Sequence, residues 1–339
     1  MSSPASVQPP DPGQQLLQLA LSYMLSISVN VVAKLKIADL LKDGPRPTRD
    51  LAAASGVNED ALYRVMRALA SSGVFAETAP RTFALTPAAE PLCTGSPLYD
   101  LIVWISDPFH FRIYAETMYS VKTGQPCADR VLGKPIFEYF PADKEESEIF
   151  NAAMISMTAM VIPAVLEAYD FSGIGTLVDV AGGHGSVISG ILQKHPQMRG
   201  ILFDLEHVVA GAKPRLEALG LANRIQFASG DFFQSVPTGG DAFIMKHIIH
   251  DWDDARALTI LKNCRKASPK AKVILLEAVL PPGNDPHFAK MLDLEMLTLP
   301  GGRERTEEEF GALFAQAGYR LARVVPTKSP LCVIEAAPA

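Results

Sequence analysis

The stretch "DVAGGHGSV", residues 179–187, decides how the second half of this chain is read, because it places three glycines between an apolar run and a helical segment. Gly182, Gly183 and Gly185 permit a tight turn and a close approach of backbone to a ligand, with a helix N-terminus directly behind. A dinucleotide fingerprint, G-x-G-x-x-G, beginning at Gly183 would need glycine at position 188, where the sequence has Ile188. The loop therefore predicts a ligand site and argues against a pyrophosphate as the ligand.

Outward from this loop, short apolar runs alternate with helical segments from residue 173 onward. The runs are "TLVDVA", "GILFDL", "RIQFAS", "DAFIM" and "KVILLEAVL". Such alternation is typical of a doubly wound, Rossmann-like parallel sheet, whose ligands bind beyond the carboxyl ends of the strands. A helix with a capping box of Thr306 and Glu309 follows, and then two strand-like runs, "YRLARVVPT" and "LCVIEAA".

Acidic residues follow the second and third apolar runs, where the strands are predicted to end. Asp204, in "FDLEHV", lies about 20 residues beyond the glycines, where it can accept hydrogen bonds from two ribose hydroxyls. Asp231 and Phe232, in "ASGDFF", suit an adenine amino group and the apolar face of the ring. An acid at a strand end is often only a helix cap. The glycine loop, Asp204 and the pair of Asp231 and Phe232 nevertheless follow one another in order, and together they favour an adenosine moiety without a pyrophosphate.

The fourth apolar run leads into "KHIIHDWDD", residues 246–254, which combines two histidines with acids and a tryptophan. His250 belongs either to an ordinary capped strand end or to a general base at the edge of an active site. His247 and His250 do not predict a metal site, because neither a third histidine nor a carboxylate cluster accompanies them in sequence. His247 is interpreted as structural or pocket-lining. Asp253 and Asp254 suit the N-terminus of the next helix.

The N-terminal part divides into a tail and a helical region. Residues 1–13 are rich in Pro, Ser and Gln and are predicted to be disordered. Residues 16–41 form an almost wholly apolar helical run, which suits either the core of an N-terminal domain or a subunit interface. Two helices and a hairpin around Pro80 then predict a winged helix-turn-helix. The expected capping and turn residues are Thr48, Gly56 and Asn58.

Charge argues against a nucleic-acid partner. The chain has 31 Lys and Arg against 37 Asp and Glu, a formal net charge of −6, and residues 30–100 hold eight of each sign. The presumed recognition helix opens with Glu59 and Asp60, which would meet phosphates with the wrong sign. A dimerising winged helix is therefore favoured.

Cysteine usage and hydropathy bear on location. The four cysteines are scattered without a C-x-x-C pair, which fits reduced thiols and argues against zinc. The N-terminus shows no secretory signal, and no run approaches the roughly 20 apolar residues of a membrane span. We therefore expect a cytoplasmic protein without a membrane partner.

Residues 101–172 are predicted to be helical and are rich in aromatic residues and methionine. Most of these side chains belong in a core. Some suit a pocket for a flat aromatic ligand, because methionine adapts its shape and aromatic rings stack.

The order of motifs in the chain resembles a known family. The motifs "DVAGGHG", "FDLEHV", "GDFF", "MKHIIHDW", "LLEAVLPPG" and "GGRERTEEEF" are similar to those of the S-adenosylmethionine-dependent O-methyltransferases of the caffeate, isoflavone and hydroxyneurosporene type, which include bacterial antibiotic and phenazine methylases. The resemblance implies a class I methyltransferase fold with an antiparallel C-terminal strand, and a mostly α winged-helix dimerisation domain. The implied segments are 14–100 for dimerisation, 101–172 for a helical linker that contributes to the substrate pocket, and 173–339 for the catalytic domain.

The resemblance also implies site residues and partners. S-adenosylmethionine is the implied cofactor, S-adenosylhomocysteine the product, a homodimer the assembly, and no metal takes part. The implied cofactor-binding residues are Asp179, Gly182, Gly183, Gly185, Asp204, Leu205, Asp231, Phe232 and Lys246. The implied catalytic residues are His250, Glu277 and Glu304, and the implied substrate-binding residues are Asp251, Phe150, Met154 and Met296. Ala181 stands where many members carry glycine, and we expect little consequence because alanine is small.

The chemistry asks for these residue types independently. A phenol has a pKa near 10, so forming phenolate at neutral pH costs about 4 kcal/mol. A neutral histidine can take the proton as the oxygen attacks a sulfonium methyl group, and a carboxylate can orient the imidazole and stabilise the imidazolium. The resemblance therefore implies methylation of a phenolic or enolic hydroxyl of an aromatic secondary metabolite, with the acceptor left open.

Two alternatives stand beside methyl transfer. Relatives of this family use S-adenosylmethionine structurally in decarboxylation, hydroxylation or pericyclic chemistry, but the intact set of His250, Glu277 and Glu304 argues against that use. A ligand-responsive transcription regulator built on the winged helix is the other alternative, and the balanced charge of that region argues against it.

Overall fold

The computed structural model describes residues 11–339, so most of the predicted disordered tail, residues 1–13, lies outside the described part. The last residues of that tail are ordered. The Asp11 side chain accepts the backbone N–H groups of Gly13 and Gln14 and caps helix α1, Pro12–Lys34. The helix begins earlier than predicted because Asp11 and Pro12 together make a capped N-terminus.

The chain divides into two compact units, the first ending at Phe111 and the second covering Arg112–Ala339. The predicted segment boundaries at residues 100 and 172 differ from this division. Residues 101–111 join the first unit, where the Asn30 side chain of α1 donates a hydrogen bond to the carbonyl of Val103. The helices that follow belong to the second unit.

The first unit contains the predicted winged helix. Its elements after α1 are α2 (Ile37–Leu40), β1 (Arg46–Pro47), α3 (Thr48–Ser55), α4 (Glu59–Ser71), β2 (Phe75–Ala79), β3 (Thr82–Leu85) and α5 (Tyr99–Ile105). The three strands form an antiparallel sheet in the order β1-β3-β2. Asn58 accepts the N–H of Ala61, and Gly56 adopts a φ of 69° at the turn, so both of these predictions are confirmed.

The predicted cap at Thr48 is wrong. Pro47 occupies the position before α3, and Thr48 is the first helical residue. Its hydroxyl donates to the Arg81 carbonyl at 2.9 Å, because β1 pairs with β3 and brings that carbonyl close.

The second unit is built on a seven-stranded sheet. Its strands are β4 (Thr176–Val180), β5 (Arg199–Asp204), β6 (Ile225–Ser229), β7 (Ala242–Lys246), β8 (Lys272–Glu277), β9 (Tyr319–Pro326) and β10 (Cys332–Pro338), in the order β6-β5-β4-β7-β8-β10-β9. The first five strands in this order are parallel, whereas β10 runs antiparallel to both β8 and β9. The Rossmann-like sheet with an antiparallel C-terminal strand is confirmed.

Helices cover both faces of this sheet. Helix α6 (Pro108–Tyr114) spans the unit boundary, and the helices after it are α7 (Thr117–Thr123), α8 (Cys127–Leu132), α9 (Ile136–Tyr139), α10 (Lys144–Ala168), α11 (Ser186–Lys194), α12 (Glu206–Ala218), α13 (Asp254–Ala267), α14 (Phe288–Thr298) and α15 (Glu307–Gln316). Residues of α10, α11 and α12 share one apolar core with the sheet, and residues of α13 and α15 share the other. Thr306 and Glu309 form the predicted capping box of α15.

Two helices are long and apolar enough, by length and composition alone, to cross a membrane. They are α1 and α10, and residues 12–33 and 149–166 within them carry no charged side chain. The expectation that no run approaches a membrane span is therefore wrong, because the few polar residues in these two uncharged runs leave their mean hydropathy high. Core helices of soluble proteins pass the same test.

Candidate active site

The predicted site residues lie where the parallel strands end. Asp179 is in β4, Asp204 ends β5, Lys246 ends β7 and Glu277 ends β8. His250 lies in a short 3-10 turn, Ile249–Asp251, directly after β7. Because the carboxyl ends of parallel strands meet at one edge of a sheet, the sequence order becomes a spatial cluster there.

His250 and Glu304 form the central contact of this cluster. His250 Nδ1 lies 2.6 Å from Glu304 Oε1, although the two residues are 54 positions apart in the chain. His250 is 4% exposed and Glu304 1% exposed. Burial raises the pKa of Glu304 to about 8. When Glu304 is ionised, the single proton of this contact lies between Nδ1 and Oε1, and Nε2 of the imidazole is left as an acceptor.

Glu277 supports the same histidine from the end of β8. Its Oε1 accepts the backbone N–H groups of Ile248 and Ile249 at 3.1 and 3.0 Å, which holds the start of the turn. Its Oε2 lies 3.7 Å from His250 Nδ1. Burial raises the pKa of Glu277, and the nearby His250 opposes that rise. Glu277 therefore anchors the turn that carries His250.

Within residues 11–339, His250, Glu277 and Glu304 are the one group of metal-ligating side chains compact enough to surround a cation. Zinc ligands at about 2.0–2.1 Å from the metal lie roughly 3.3 Å from one another in a tetrahedron. The 2.6 Å separation of Nδ1 and Oε1 is shorter than that and is a hydrogen-bond distance. The arrangement as it stands fits a shared proton better than a metal ion.

Asp251 lies on the other side of the imidazole. Its Oδ1 is 3.4 Å from His250 Nε2, the nitrogen that is free to accept a proton. Burial raises the pKa of Asp251 to about 7, and burial lowers the pKa of Lys246 to about 8. Lys246 and Asp251 interact electrostatically with each other, and their assignment to the cofactor and to the substrate stays a prediction.

His247 contacts His250 ring to ring, with 4.5 Å between the ring centroids. Burial lowers the pKa of His247 well below its ordinary value, so the ring is neutral at physiological pH. Its backbone adopts a φ of 54°, a left-handed conformation that is uncommon for a residue with a side chain. Its N–H donates to the carbonyl of Leu276 in β8. His247 thus shapes the wall beside the histidine proposed as base.

The glycine loop approaches its surroundings closely, as its sequence predicts. A Cβ on Gly182 would lie 2.4 Å from Leu202 Cδ1 and 2.6 Å from Asp179 Cγ, so a side chain does not fit there. Gly183 and Gly185 adopt left-handed φ values of 55° and 73°. Ala181 also has a positive φ, 54°. Because that conformation costs a residue with a Cβ about 1–2 kcal/mol, replacing the usual glycine by alanine has more consequence than we expected.

Asp179 lies beneath this loop, 1% exposed, and accepts the N–H of Ile188 in the first turn of α11 at 3.2 Å. Burial raises its pKa to about 7. Asp204 accepts the N–H groups of Gly183 at 2.8 Å and Leu205 at 2.7 Å, and burial raises its pKa as well. Both carboxyl groups therefore set the shape of the loop.

Asp231 and Phe232 follow β6, at the next strand end along the same edge. Asp231 accepts the N–H of Phe233 at 2.8 Å and so closes the turn. The Phe232 ring is half-buried and packs against Phe233 and Trp252, with centroid distances of 4.7 and 6.0 Å. Leu205 is 50% exposed at the end of β5. Phe232, Phe233 and Trp252 therefore form one aromatic cluster.

The predicted substrate-pocket residues come from two helices. Phe150 and Met154 lie in α10 and are half-buried, whereas Met296 lies in α14 and is 6% exposed. The Phe150 ring stacks on Phe140 at 4.5 Å with an interplanar angle of 11°. A stacked aromatic pair offers a flat apolar wall.

Three residues around the histidine were missed by sequence reasoning. Asp293 in α14 accepts the N–H of Glu304 at 2.8 Å. Gly302 and Arg305 lie in the motif "GGRERTEEEF", where Glu304 had been given a catalytic role and Thr306 and Glu309 a capping role. The sequence feature that could have pointed to Gly302 and Arg305 is their place in this motif, beside Glu304.

We expect Asp179→Asn to stabilise the folded protein at pH 8 by about 1 kcal/mol or more and to change its stability little near pH 4. The pKa of Asp179 is about 7 in the folded chain and about 3.9 when unfolded. The native state therefore keeps a proton that the unfolded state loses, and stability falls as the pH rises from about 4 through 7. Asparagine keeps the acceptor for Ile188 without the buried charge.

Urea denaturation at pH 4.5 and pH 8, without added ligand, measures this difference. Asp285→Asn, at an exposed loop position, is the matched control and should show no pH-dependent gain. Equal unfolding free energies of wild type and Asp179→Asn at pH 8 would contradict the assignment of a buried, reluctantly ionised carboxyl group.

Comparisons with known proteins match both parts of the chain. A family model for the O-methyltransferase domain matches residues 114–320, and one for the O-methyltransferase dimerisation domain matches residues 17–95. A phenazine O-methyltransferase named PhzM, from Lysobacter antibioticus, is 42% identical over 326 residues, which are 95% of each chain.

Solved structures agree with these matches. The crystal structure of LaPhzM has a TM-score of 0.91 at 41% identity and covers 97% of this chain and 100% of its own. An O-methyltransferase from neocarzinostatin biosynthesis, in complex with S-adenosyl-L-homocysteine and 1,4-dihydroxy-2-naphthoic acid, has a TM-score of 0.82 at 30% identity, covering 93% of this chain and 96% of its own.

Proposed function

This chain belongs to the S-adenosylmethionine-dependent O-methyltransferases of secondary metabolism, and on that premise we propose that it methylates a phenolic or enolic hydroxyl of an aromatic small molecule with His250 as general base. The observation that carries the proposal is the buried 2.6 Å contact between His250 Nδ1 and Glu304 Oε1. That contact fixes the imidazole with Nε2 toward Asp251 and makes Nε2 the proton acceptor.

S-adenosylmethionine, when bound, supplies an electrophilic methyl group on a sulfonium. His250 Nε2 accepts the proton of the acceptor's hydroxyl group while the hydroxyl oxygen forms the new bond to the methyl carbon. The carbon–sulfur bond breaks, and its electron pair remains on sulfur. The products are the methyl ether and S-adenosylhomocysteine, and the proton leaves on His250. Removing the proton matters because a phenol near pKa 10 is almost wholly protonated at neutral pH.

Glu304 and Glu277 support the developing imidazolium. Glu304 lies against Nδ1, so when it is ionised its carboxylate is the closest one to the positive charge that forms. Glu277 lies farther away, with its Oε2 3.7 Å from His250 Nδ1, and its Oε1 accepts two backbone N–H groups. We therefore assign Glu304 the larger role and Glu277 an anchoring role. No metal ion is needed in this scheme, because the base acts on the hydroxyl directly.

The residues at the strand ends suit S-adenosylmethionine. The Gly182–Gly185 loop, with Asp179 beneath it, suits the methionine portion, and Asp204 suits the ribose hydroxyls. Asp231 and Phe232 suit the adenine, with Leu205 at the neighbouring strand end, and Lys246 ends β7 on the side of Asp179 and Asp251. Ile188 in place of the last fingerprint glycine fits a ligand that lacks a pyrophosphate.

A screen for S-adenosylhomocysteine release tests the function. The acceptors to supply are flavonoids, phenylpropanoids, anthraquinones and hydroxyphenazines, each with S-adenosylmethionine, and the methylated product is identified by mass. Release of S-adenosylhomocysteine together with a product 14 mass units heavier supports O-methylation. Conversion of an acceptor without S-adenosylhomocysteine release would favour the non-methylating alternative.

We also propose that the protein is a homodimer held by its N-terminal unit and that it binds no nucleic acid. Helix α1 is apolar on most of its surface yet largely exposed in the single chain, with Leu16 at 68%, Leu17 at 59% and Leu19 at 71% exposure. Contiguous exposed apolar surface of this kind marks a protein interface. The acids that open α4 are paired with Arg81, which leaves no excess positive charge at that helix N-terminus.

The dimer predicts a native mass close to twice 36.6 kDa. Leu17→Glu combined with Leu21→Glu should shift the protein toward monomer, because two charges would have to be buried in the interface. Gln14→Glu combined with Gln18→Glu adds the same charge at exposed polar positions of the same helix and should leave the mass unchanged. Sedimentation equilibrium measures all three, and a monomeric wild type at micromolar concentration would refute the proposal.

A further inference from the structure

We propose that Arg305 and Gly302 are positioning residues that hold the turn carrying His250 against the loop carrying Glu304. The inference rests on the proposed function, because the alignment it explains is that of the general base. His250 lies in the 3-10 turn after β7, and Glu304 lies in the connection between α14 and α15. Their 2.6 Å contact therefore depends on how two irregular segments are held together.

Arg305 spans the turn on both sides of His250. Its Nη1 donates to the carbonyl of Ile249 at 3.0 Å, and its Nη2 donates to the carbonyl of Trp252 at 2.9 Å. Its Nε and Nη2 also donate to Asp254 Oδ1 at 3.0 and 2.7 Å. The planar guanidinium offers donors in a fixed fork, so these partners are held in one geometry.

The burial of Arg305 marks this arrangement as a specific one. The residue is 1% exposed, although arginine is rarely buried unless it is paired. Its carboxylate partner, Asp254, has a side chain 62% exposed at the start of α13. Much of what Arg305 binds is therefore backbone carbonyl of the segment carrying His250. Such contacts fix the path of that segment.

Gly302 brings the two segments within backbone contact. A Cβ on this residue would lie 2.0 Å from the carbonyl oxygen of His250, 2.3 Å from the carbonyl carbon of Asp251 and 2.6 Å from the nitrogen of Trp252. These are backbone atoms, which cannot rotate away. The φ of Gly302 is not in the left-handed region, so close approach is what requires glycine here.

A backbone hydrogen bond completes the junction. The N–H of Arg303 donates to the carbonyl of His250 at 2.8 Å, directly beside the point of closest approach. Any side chain at position 302 would push the Arg303 N–H away from this carbonyl. The imidazole and Glu304 would then separate, and a displacement of about 1 Å can cost roughly 100-fold in rate.

The same loop offers matched controls. Arg303 is 48% exposed, and its guanidinium pairs with Glu309 at 2.6 Å and Asp254 at 3.9 Å. Arg303→Met keeps the backbone N–H that binds His250. Gly311 in α15 would place a Cβ 3.9 Å from Leu321, an ordinary contact, so Gly311→Ala controls for a glycine substitution.

The test compares Arg305→Met, Arg305→Lys and Gly302→Ala with these controls in the full-length protein. Turnover should fall about 10- to 100-fold in Arg305→Met and Gly302→Ala, with the Kd for S-adenosylmethionine within about twofold of wild type. The turnover of Arg305→Lys should lie between those of wild type and Arg305→Met, because the lysine ammonium keeps the positive charge but not the planar fork of donors. If Arg305→Met does not fold, Arg305→Lys and Gly302→Ala decide the question.

A double-mutant cycle separates positioning from general stability. In a Glu304→Gln background, Arg305→Met should lower turnover by a much smaller factor than it does in wild type, because the contact between His250 and Glu304 that Arg305 aligns is already impaired. Additive losses would overturn the proposal. A second readout needs no turnover: the short imidazole N–H hydrogen bond to a carboxylate should give a far-downfield proton resonance in the wild type.

That resonance should be absent in Glu304→Gln, shifted or lost in Arg305→Met and Gly302→Ala, and unchanged in Arg303→Met. An unchanged resonance and unchanged turnover in both Arg305→Met and Gly302→Ala would overturn the proposal. If the wild type turns over no acceptor, the proposed function fails while the resonance still tests the positioning. The two failures are therefore distinguishable.

Discussion

His250→Ala is expected to lower turnover by roughly two orders of magnitude or more while leaving the binding of S-adenosylmethionine intact. The variant removes the only atom we assign to proton removal, His250 Nε2, which lies 3.4 Å from Asp251. Apart from Lys246, which ends β7, the residues proposed to hold the cofactor lie at the ends of β4, β5 and β6. The loss should therefore appear in kcat, with an unchanged Kd by calorimetry.

The pH dependence sharpens this expectation. In the variant, only acceptor that has already ionised in solution can react, so its rate should rise about tenfold per pH unit until the pH reaches the acceptor's pKa near 10. The wild type should depend far less on pH over the same range, because the base removes the proton in place. Undiminished methylation by His250→Ala at pH 7 would refute the assignment.

His247→Ala is the discriminating comparison. The two imidazole rings lie 4.5 Å apart, so a general base at position 247 is the nearest competing assignment. Because burial lowers the pKa of His247 well below its ordinary value, its ring is a weak base, and we expect a much smaller loss than in His250→Ala. A larger loss in His247→Ala would transfer the role to that residue.

Asp204→Ala is expected to weaken S-adenosylmethionine binding about 10- to 100-fold, the loss of a charged hydrogen-bonding partner worth roughly 1.5–3 kcal/mol. Asp204 has two tasks, since it shapes the loop through the N–H of Gly183 at 2.8 Å and offers a carboxylate to the ribose hydroxyls. Turnover at saturating S-adenosylmethionine should change much less, because His250 and Glu304 are untouched.

Calorimetric titration with S-adenosylmethionine measures the effect. Glu206→Ala removes an exposed acid at the same strand end and controls for the change in net charge. The Kd of Asp204→Asn for S-adenosylmethionine should lie between those of Asp204→Ala and Glu206→Ala, because the amide oxygen can still accept the N–H of Gly183. An unchanged Kd in Asp204→Ala would rule out the ribose role.

The sequence predicted the parts of the fold that depend on local pattern. Alternating apolar runs and helical segments predicted the doubly wound sheet, and the strands observed begin and end within a few residues of those runs. Asn58, Gly56 and the pair of Thr306 and Glu309 were identified from capping chemistry that acts over three or four residues. The predicted cap at Thr48 was wrong because Pro47 occupies the cap position and strand pairing brings the Arg81 carbonyl to the Thr48 hydroxyl.

The candidate site divides in the same way. The position of His250 at a strand end, and of the glycine loop before a helix, follows from sequence order, because parallel strands end at one edge. What holds the imidazole comes from tertiary contacts: Glu304 reaches it across 54 residues, and Arg305 binds carbonyls 53 and 56 residues away. Backbone carbonyls carry no sequence signature, so no pattern of residue types could have identified these partners.

The sequence by itself therefore determined the sheet, the glycine loop and the histidine at the strand end, because each follows from periodicity or from the shape of a single residue. Only the tertiary structure decided that Glu304 Oε1 lies 2.6 Å from His250 Nδ1 and that Gly302 leaves no room for a Cβ beside the His250 carbonyl. The physical reason is distance along the chain. Contacts between irregular segments depend on how helices α14 and α15 pack, and that packing is a property of the whole core.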